Sequence, residues 1–235
     1  MPDISLGVAW YIIFLISTSL HEAAHGFAAK KLGDPTAHNH GLMTINPIPH
    51  IQRSPIGLVV VPIASFLLNG WIIGWASTIV DPYWAQNNRK KDALVSAAGP
   101  LSNLALVLLA AILIRTALFF NIFYPPESIT FANVTAAHST GLPTSLAIFI
   151  SITFSLNLIL AFFNLIPLPP LDGSQILKYF LSNEQSNRYQ SLLSHPQFAF
   201  IGLLIAWHFF PDIFAPINTF ALNILYTGEG SYGAI

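Results

Sequence analysis

No charged side chain occurs between Asp3 and Glu22, between Arg53 and Asp81, between Asp92 and Arg115, or between Glu127 and Asp172. A helix needs about 20 apolar residues to cross a bilayer, so each gap can hold a membrane element. Composition points the same way. The chain is 54% hydrophobic and 8% charged, where ordinary globular chains are about 25% charged. The expected elements are a helix over Ile4–Lys30, a segment over Ile56–Val80 interrupted by Pro62 and Asn69–Trp71, and helices over Ala93–Phe120 and Pro143–Leu165. A last apolar stretch over Phe198–Tyr226 is broken at Pro211. The fold class expected is an all-α polytopic membrane protein, a single domain over residues 1–235. The opening "MPDISLGVAWYIIFLISTSL" has neither the basic leader nor the cleavage site of a signal peptide and is expected to be retained. A net charge of −1 offers no electrostatic case for nucleic acid.

The basic residues set orientation. Of nine Lys and Arg, Lys30, Lys31, Arg53, Arg89, Lys90, Lys91, Lys178 and Arg188 fall in three loops, whereas the N-terminal tail and the loop Asn121–Leu142 have none. The three basic loops are therefore expected on the cytoplasmic side. A full crossing by Ile56–Val80 would separate Lys30 from Arg89. That segment is instead expected to enter the membrane and return, with its irregular backbone buried in protein or lining a wet cavity.

Into the first apolar run the chain places His21-Glu22-Ala23-Ala24-His25. Residues four apart share a helix face, so both imidazoles can reach one ion, with Glu22 set to act as a base on a bound water. A Glu and two His inside a membrane segment are costly unless they are used. The chain has no cysteine, so a metal must be held by His, Asp or Glu. A catalytic zinc site takes three protein ligands. His38, His40, His50, His138, His195 and His208 are candidates by type for the third. Asp172 is the stronger one, because it closes "FFNLIPLPPLDG" (162–173). There Pro167, Pro169 and Pro170 forbid helix continuation, and the freed backbone is expected to run extended into an Asp-Gly turn. Ser17, Thr18 and Ser19 are expected to bond helix carbonyls, and His50 to be structural. No catalytic role is expected for His138, His195 or His208.

Three signatures in order, "HEAAHGFAA", "SAAGPLSN" (96–103) and "NLIPLPPLDG" (164–173), resemble the site-2 protease family of intramembrane zinc metalloproteases. A weaker match, "TINPIPHI" (44–51) followed by an apolar run and "GWA", resembles the compact subgroup without a PDZ insertion or CBS domains. The resemblance implies one Zn2+ per chain on His21, His25 and Asp172, with Glu22 as general base. It implies that Asn164 holds substrate backbone and that Asn103 is a second polar contact, although Asn103 read by itself could equally bond between helices. A strand-like segment within Pro35–Ile51 would pair with an unwound transmembrane substrate. The protein would be multi-pass in the bacterial inner or plasma membrane, its site toward the cytoplasm. The chain departs from the subgroup at "GLMTINP", at Gln52 and Arg53, at "GWAST" (74–78) and at Ser174. Two other classes would also use such a groove: a catalytically silent scaffold that binds transmembrane helices, and a divalent-metal transporter.

Overall fold

The computed structural model describes residues 3–193 and 196–228. Helix α1 spans Ile4–Leu32. The Asp3 carboxylate starts it by accepting from the Ser5 and Leu6 amides, and Gly33, in the left-handed region, ends it. Lys30 and Lys31 in its last turn complement the helix dipole. Two short helices follow, α2 (Thr36–Asn39) and α3 (Pro47–Arg53). The strand expected within Pro35–Ile51 is therefore absent. The Asn46 side chain caps the Ile48 amide and Pro47 occupies the first turn, a combination that starts a helix.

After Arg53 the chain bends by 114° into a π-helical turn (Ile56–Val60) that runs directly into α4 (Val61–Asn69). Gly70 stops α4 with a φ of 72°. The chain then returns without regular structure until α5 (Pro82–Asn87). The outward arm meets α1 where the Tyr11 hydroxyl donates to the Leu58 carbonyl at 2.9 Å. At the tip, Trp71 packs edge-on to Trp10 with ring centroids 5.2 Å apart. The Arg53 Nε donates to the Ser77 carbonyl at 2.9 Å, and the Asp81 amide to Asp34 at 2.9 Å. Both arms thus begin and end on the same side, as re-entry requires. From Trp10 to Leu32 is roughly 33 Å of helix at 1.5 Å per residue. The ten residue steps from Trp71 to Asp81 cover a similar rise, so this backbone must be close to fully extended.

Helix α6 (Arg89–Phe119) crosses next, starting a turn earlier than the apolar run and passing through Pro100. A short antiparallel ribbon follows, β1 (Phe123–Tyr124) with β2 (Ala136–Ala137). Helix α7 (Leu142–Asn164) crosses back. Residues 165–171 form successive turns rather than an extended run, and Asp172 opens the short α8 (Asp172–Leu177) in place of a tight Asp-Gly turn. Helix α9 (Asn183–Leu193) precedes α10 (Pro196–Leu225), which continues through Pro211 and Pro216 where a break was expected. Proline is tolerated inside membrane helices where neighbours or local adjustment satisfy the freed carbonyl.

Among the described residues, four helices are long and apolar enough to cross a membrane: Ile4–Leu32, Arg89–Phe119, Leu142–Asn164 and Gln197–Leu225. The chain is an all-α polytopic membrane protein. One core cluster joins α6, α7 and α10 through Ile114, Phe154, Leu158 and Tyr226. A second joins α1, the re-entrant arm and α7 through Phe14, Leu58, Ile152 and Leu156. Between membrane helices such contacts act by close packing, and polar bonds supply register.

Candidate metal centre

In the lower half of α1, His21, Glu22 and His25 are all buried. The His21 Nδ1 lies 2.6 Å from the Asn103 Oδ1 on α6, and the His25 Nδ1 lies 2.9 Å from the Val95 carbonyl oxygen. With an oxygen acceptor at each Nδ1, that nitrogen carries the proton. Both Nε2 lone pairs are then free and aimed at one point. The Asp172 Oδ2 completes the set at 3.1 Å from the His21 Nε2 and 3.4 Å from the His25 Nε2. Zinc bonds of about 2.0–2.1 Å would place tetrahedral ligand atoms roughly 3.3–3.4 Å apart. Both separations of the Asp172 oxygen from the imidazole nitrogens match that spacing, and the three ligand atoms, all within 4.8 Å of one another, need only close inward to hold a zinc ion.

Helix α6 clears the space for the ion. A Cβ at Gly99 would sit 2.4 Å from the His25 Nε2 and 2.5 Å from the His21 Nε2, in the centre itself. The Gly-Pro pair of "SAAGPLSN" thus has a local reason: only a residue without a side chain lets α6 pass so close to the imidazoles.

Behind His21 lies a chain of polar bonds. The Asn103 Nδ2 donates to the Asn157 Oδ1 at 2.8 Å, and the Asn157 Nδ2 donates to the Ser17 Oγ at 3.0 Å. Asn103 and Asn157 have no exposed surface. The expectation that Asn103 touches substrate is corrected accordingly: it sits behind the imidazole and orients it. Asn157 escaped the sequence reading, though an Asn in the apolar middle of α7 was a signal that something across the bundle needed it. Ser17 accepts from Asn157, Thr18 bonds the Phe14 carbonyl as expected, and the buried Ser19 hydroxyl has no partner among the described residues.

The centre opens into a cleft of about 230 Å³. Glu22 lines it, and no protein donor among the described residues engages its carboxylate. Asn164 ends α7 at the rim and donates to the Leu160 carbonyl at 2.9 Å, which leaves its Oδ1 uncommitted. Pro170 closes one side, and Ala76, Ser77, Thr78 and Val80 of the extended return arm form another. Of that arm, the Ser77 carbonyl accepts from Arg53, and 76–80 make no other backbone hydrogen bond among the described residues.

The remaining histidines lie apart. His38 and His40 are exposed, His208 is exposed on α10, and His138 packs against the Tyr124 ring. His50 is buried with its Nε2 on the Thr44 carbonyl, the structural role expected of it. His195 lies outside the described residues.

Two imidazoles and a carboxylate around a metal-sized gap, with an adjacent unbonded carboxylate, are the parts of a metallopeptidase. The profile of Peptidase family M50 matches residues 9–204. The chain belongs to this family, the site-2 proteases. It is 39% identical over 71% of its length to YwhC of Bacillus subtilis, covering 66% of that protein. It is 30% identical over 82% of its length to Rip2 of Mycobacterium tuberculosis, covering 63% of that protein. Both relatives bear the name "Putative zinc metalloprotease". The chain thus spans just under two thirds of the length of these curated relatives. No solved structure matches it significantly.

Proposed function

We propose that this member of family M50 is a zinc-dependent intramembrane endopeptidase that cuts transmembrane segments of other membrane proteins. The observation that carries the reading is the convergence of the His21 and His25 Nε2 atoms with the Asp172 Oδ2 beside the unbonded Glu22 carboxylate. One zinc per chain, held by these three residues, would polarise the scissile carbonyl and lower the pKa of a water from 15.7 to about 7. Glu22 accepts the proton released by that water and passes it to the departing amine nitrogen. Asn164 donates its uncommitted N–H to the substrate carbonyl oxygen as negative charge develops there.

A transmembrane helix hides its peptide bonds, so the substrate must unwind at the cut. Unwound backbone in a membrane needs new partners. The extended arm at 76–80 supports that role in place of the strand expected in Pro35–Ile51. It borders the centre, and most of its own amides and carbonyls are unpaired, as needed for adding an extended peptide. The bias of Lys and Arg supports a cleft that faces the cytoplasm from a cell membrane, where water can enter.

The test is Glu22→Gln in purified, detergent-solubilised protein. Zinc content should stay at the wild-type level, because none of the three ligands has changed. Cleavage of a model transmembrane segment should fall at least about 10²–10⁴-fold. A variant that cleaves at the wild-type rate removes Glu22 as the base; one that loses its zinc makes Glu22 a ligand.

A further inference from the structure

The run Arg89-Lys90-Lys91-Asp92 opens α6, and its count of charges marks it as an ordinary cytoplasmic loop signal. Its contacts are more specific than that. The Lys178 Nζ lies 2.9 Å from the Asp92 Oδ2, and both side chains are buried, with relative exposures of 4% and 9%. Arg89 donates to the Ser182 carbonyl at 2.7 Å. The Lys90 ammonium sits over the Tyr179 ring, 5.6 Å from its centroid. Lys91 reaches back to the Leu32 carbonyl, at the end of α1, at 3.3 Å. Four consecutive residues thus bind the stretch directly after α8, from Lys178 to Ser182, and the far end of α1. The helices that these ends close carry Asp172 and the histidine pair.

Helix α8 needs such anchors. It has six residues, well short of the roughly 12–15 at which an isolated helix becomes even marginally stable. At its start Gly173 lies against loop backbone, where a Cβ would come within 2.3 Å of the Leu165 carbonyl oxygen. At its end Lys178 is tied to Asp92. A buried ion pair contributes little net stability compared with apolar packing, but it accepts few alternative geometries. Its effect falls on the register of α8 against α6, and so on where the Asp172 carboxylate stands relative to His21 and His25.

We propose that Arg89–Asp92 is a positioning clamp that sets Asp172 against the two histidines, with the Asp92–Lys178 pair as its buried member. Asp92 and Lys178 are positioning residues, acting on the metal through α8. The proposal rests on the reading of His21, His25 and Asp172 as a zinc site.

The test uses the full chain in detergent and measures zinc affinity by chelator competition, the absorption spectrum of the cobalt-substituted protein, and thermal melting. Lys178→Met should weaken zinc binding about 10–100-fold, the range typical of residues that orient metal ligands. Its cobalt spectrum should move toward that of Asp172→Ala. That single change strands a buried carboxylate, so the deciding variant is Asp92→Leu/Lys178→Met. Replacing both partners with apolar groups commonly preserves folding. This variant should melt near the wild type and still bind zinc weakly. Arg89→Met, which leaves no buried charge behind, gives a second reading in the same direction with a smaller loss. Arg188→Ala, which breaks an exposed pair with Glu184 within α9, should change none of the three measurements. A paired variant with wild-type melting, zinc affinity and cobalt spectrum overturns the clamp and leaves the zinc site standing. If the paired variant does not fold, wild-type zinc affinity in Arg89→Met overturns the clamp instead. A wild type that binds no zinc through His21, His25 and Asp172 overturns both.

Discussion

At Gly99 the difference between hydrogen and methyl decides whether a metal can sit between α1 and α6. Its missing side chain leaves open the volume onto which both Nε2 atoms converge, and a methyl there would meet both imidazoles about an ångström inside ordinary van der Waals contact. Gly99→Ala should therefore abolish zinc binding, or weaken it by at least about 10–100-fold, while the helices still form. Zinc content of the purified variant, together with its far-UV circular dichroism, checks this. A fully zinc-loaded Gly99→Ala would mean that the ion sits elsewhere. At the same scale His21 depends on residues two helices away. Its tautomer follows from Asn103, and the orientation of Asn103 follows from Asn157 and Ser17.

Among the elements, the re-entrant hairpin departs furthest from a simple count of spans. Its two arms leave and return on one side, with Arg53 against Ser77 and Asp81 against Asp34. Single cysteines placed at positions 53 and 90 of this cysteine-free chain should be labelled from the same face of sealed vesicles. Labelling from opposite faces would mean that the segment crosses. The return arm is held at its foot by the Asp34 carboxylate, which accepts from the Thr36 and Asp81 amides and the Thr36 hydroxyl. Burial would raise the pKa of Asp34, but these donors outweigh it and hold the value below the ordinary 3.8. A carboxylate with a depressed folded pKa stabilises the fold above its unfolded pKa, and the contribution is lost as pH falls through the folded value. Asp34→Ala should therefore cost about 1–3 kcal/mol at neutral pH, on the scale of hydrogen bonds to a charged group. The gap to wild type should close below about pH 4. Melting curves of both proteins at the two pH values test this, and a gap that persists in acid would assign the loss to packing.

For the whole molecule, the proposed metal site would draw its ligands from α1 and α8, which are far apart in sequence, with α6 packed between as scaffold. Zinc that binds the assembled bundle and not the separated helices must stabilise the assembly, by about 4 kcal/mol at a free concentration of 1,000 times Kd. Purified protein should hold about one zinc per chain. Removing it with a chelator should lower the melting temperature, and adding zinc back should restore it. Asp172→Ala should melt at the chelated temperature whether or not zinc is supplied. A chelator-insensitive wild type would show that the ion does not link these helices.

The charge-free runs were enough to place the spans to within a few residues, because a bilayer allows little besides a long apolar helix. The spacing of His21, Glu22 and His25 and the Pro-rich approach to Asp172 pointed to the metal set, because helix geometry and proline chemistry act locally. The segment after α1 was harder. Asn46 and Pro47 start a helix where a strand was expected, and the extended backbone lies past Gly70, in a run as apolar as any helix here. Periodicity cannot separate a buried strand from a buried helix, and contact with α1 stretches this arm. Asn103 was legible as a polar residue in an apolar helix, but whether it faced a substrate or an imidazole depended on how α6 is rotated against α1. Lys178 and Asp92 stand in sequence as two loop charges. Only the packing of α8 on α6 removes both from water and makes them a pair.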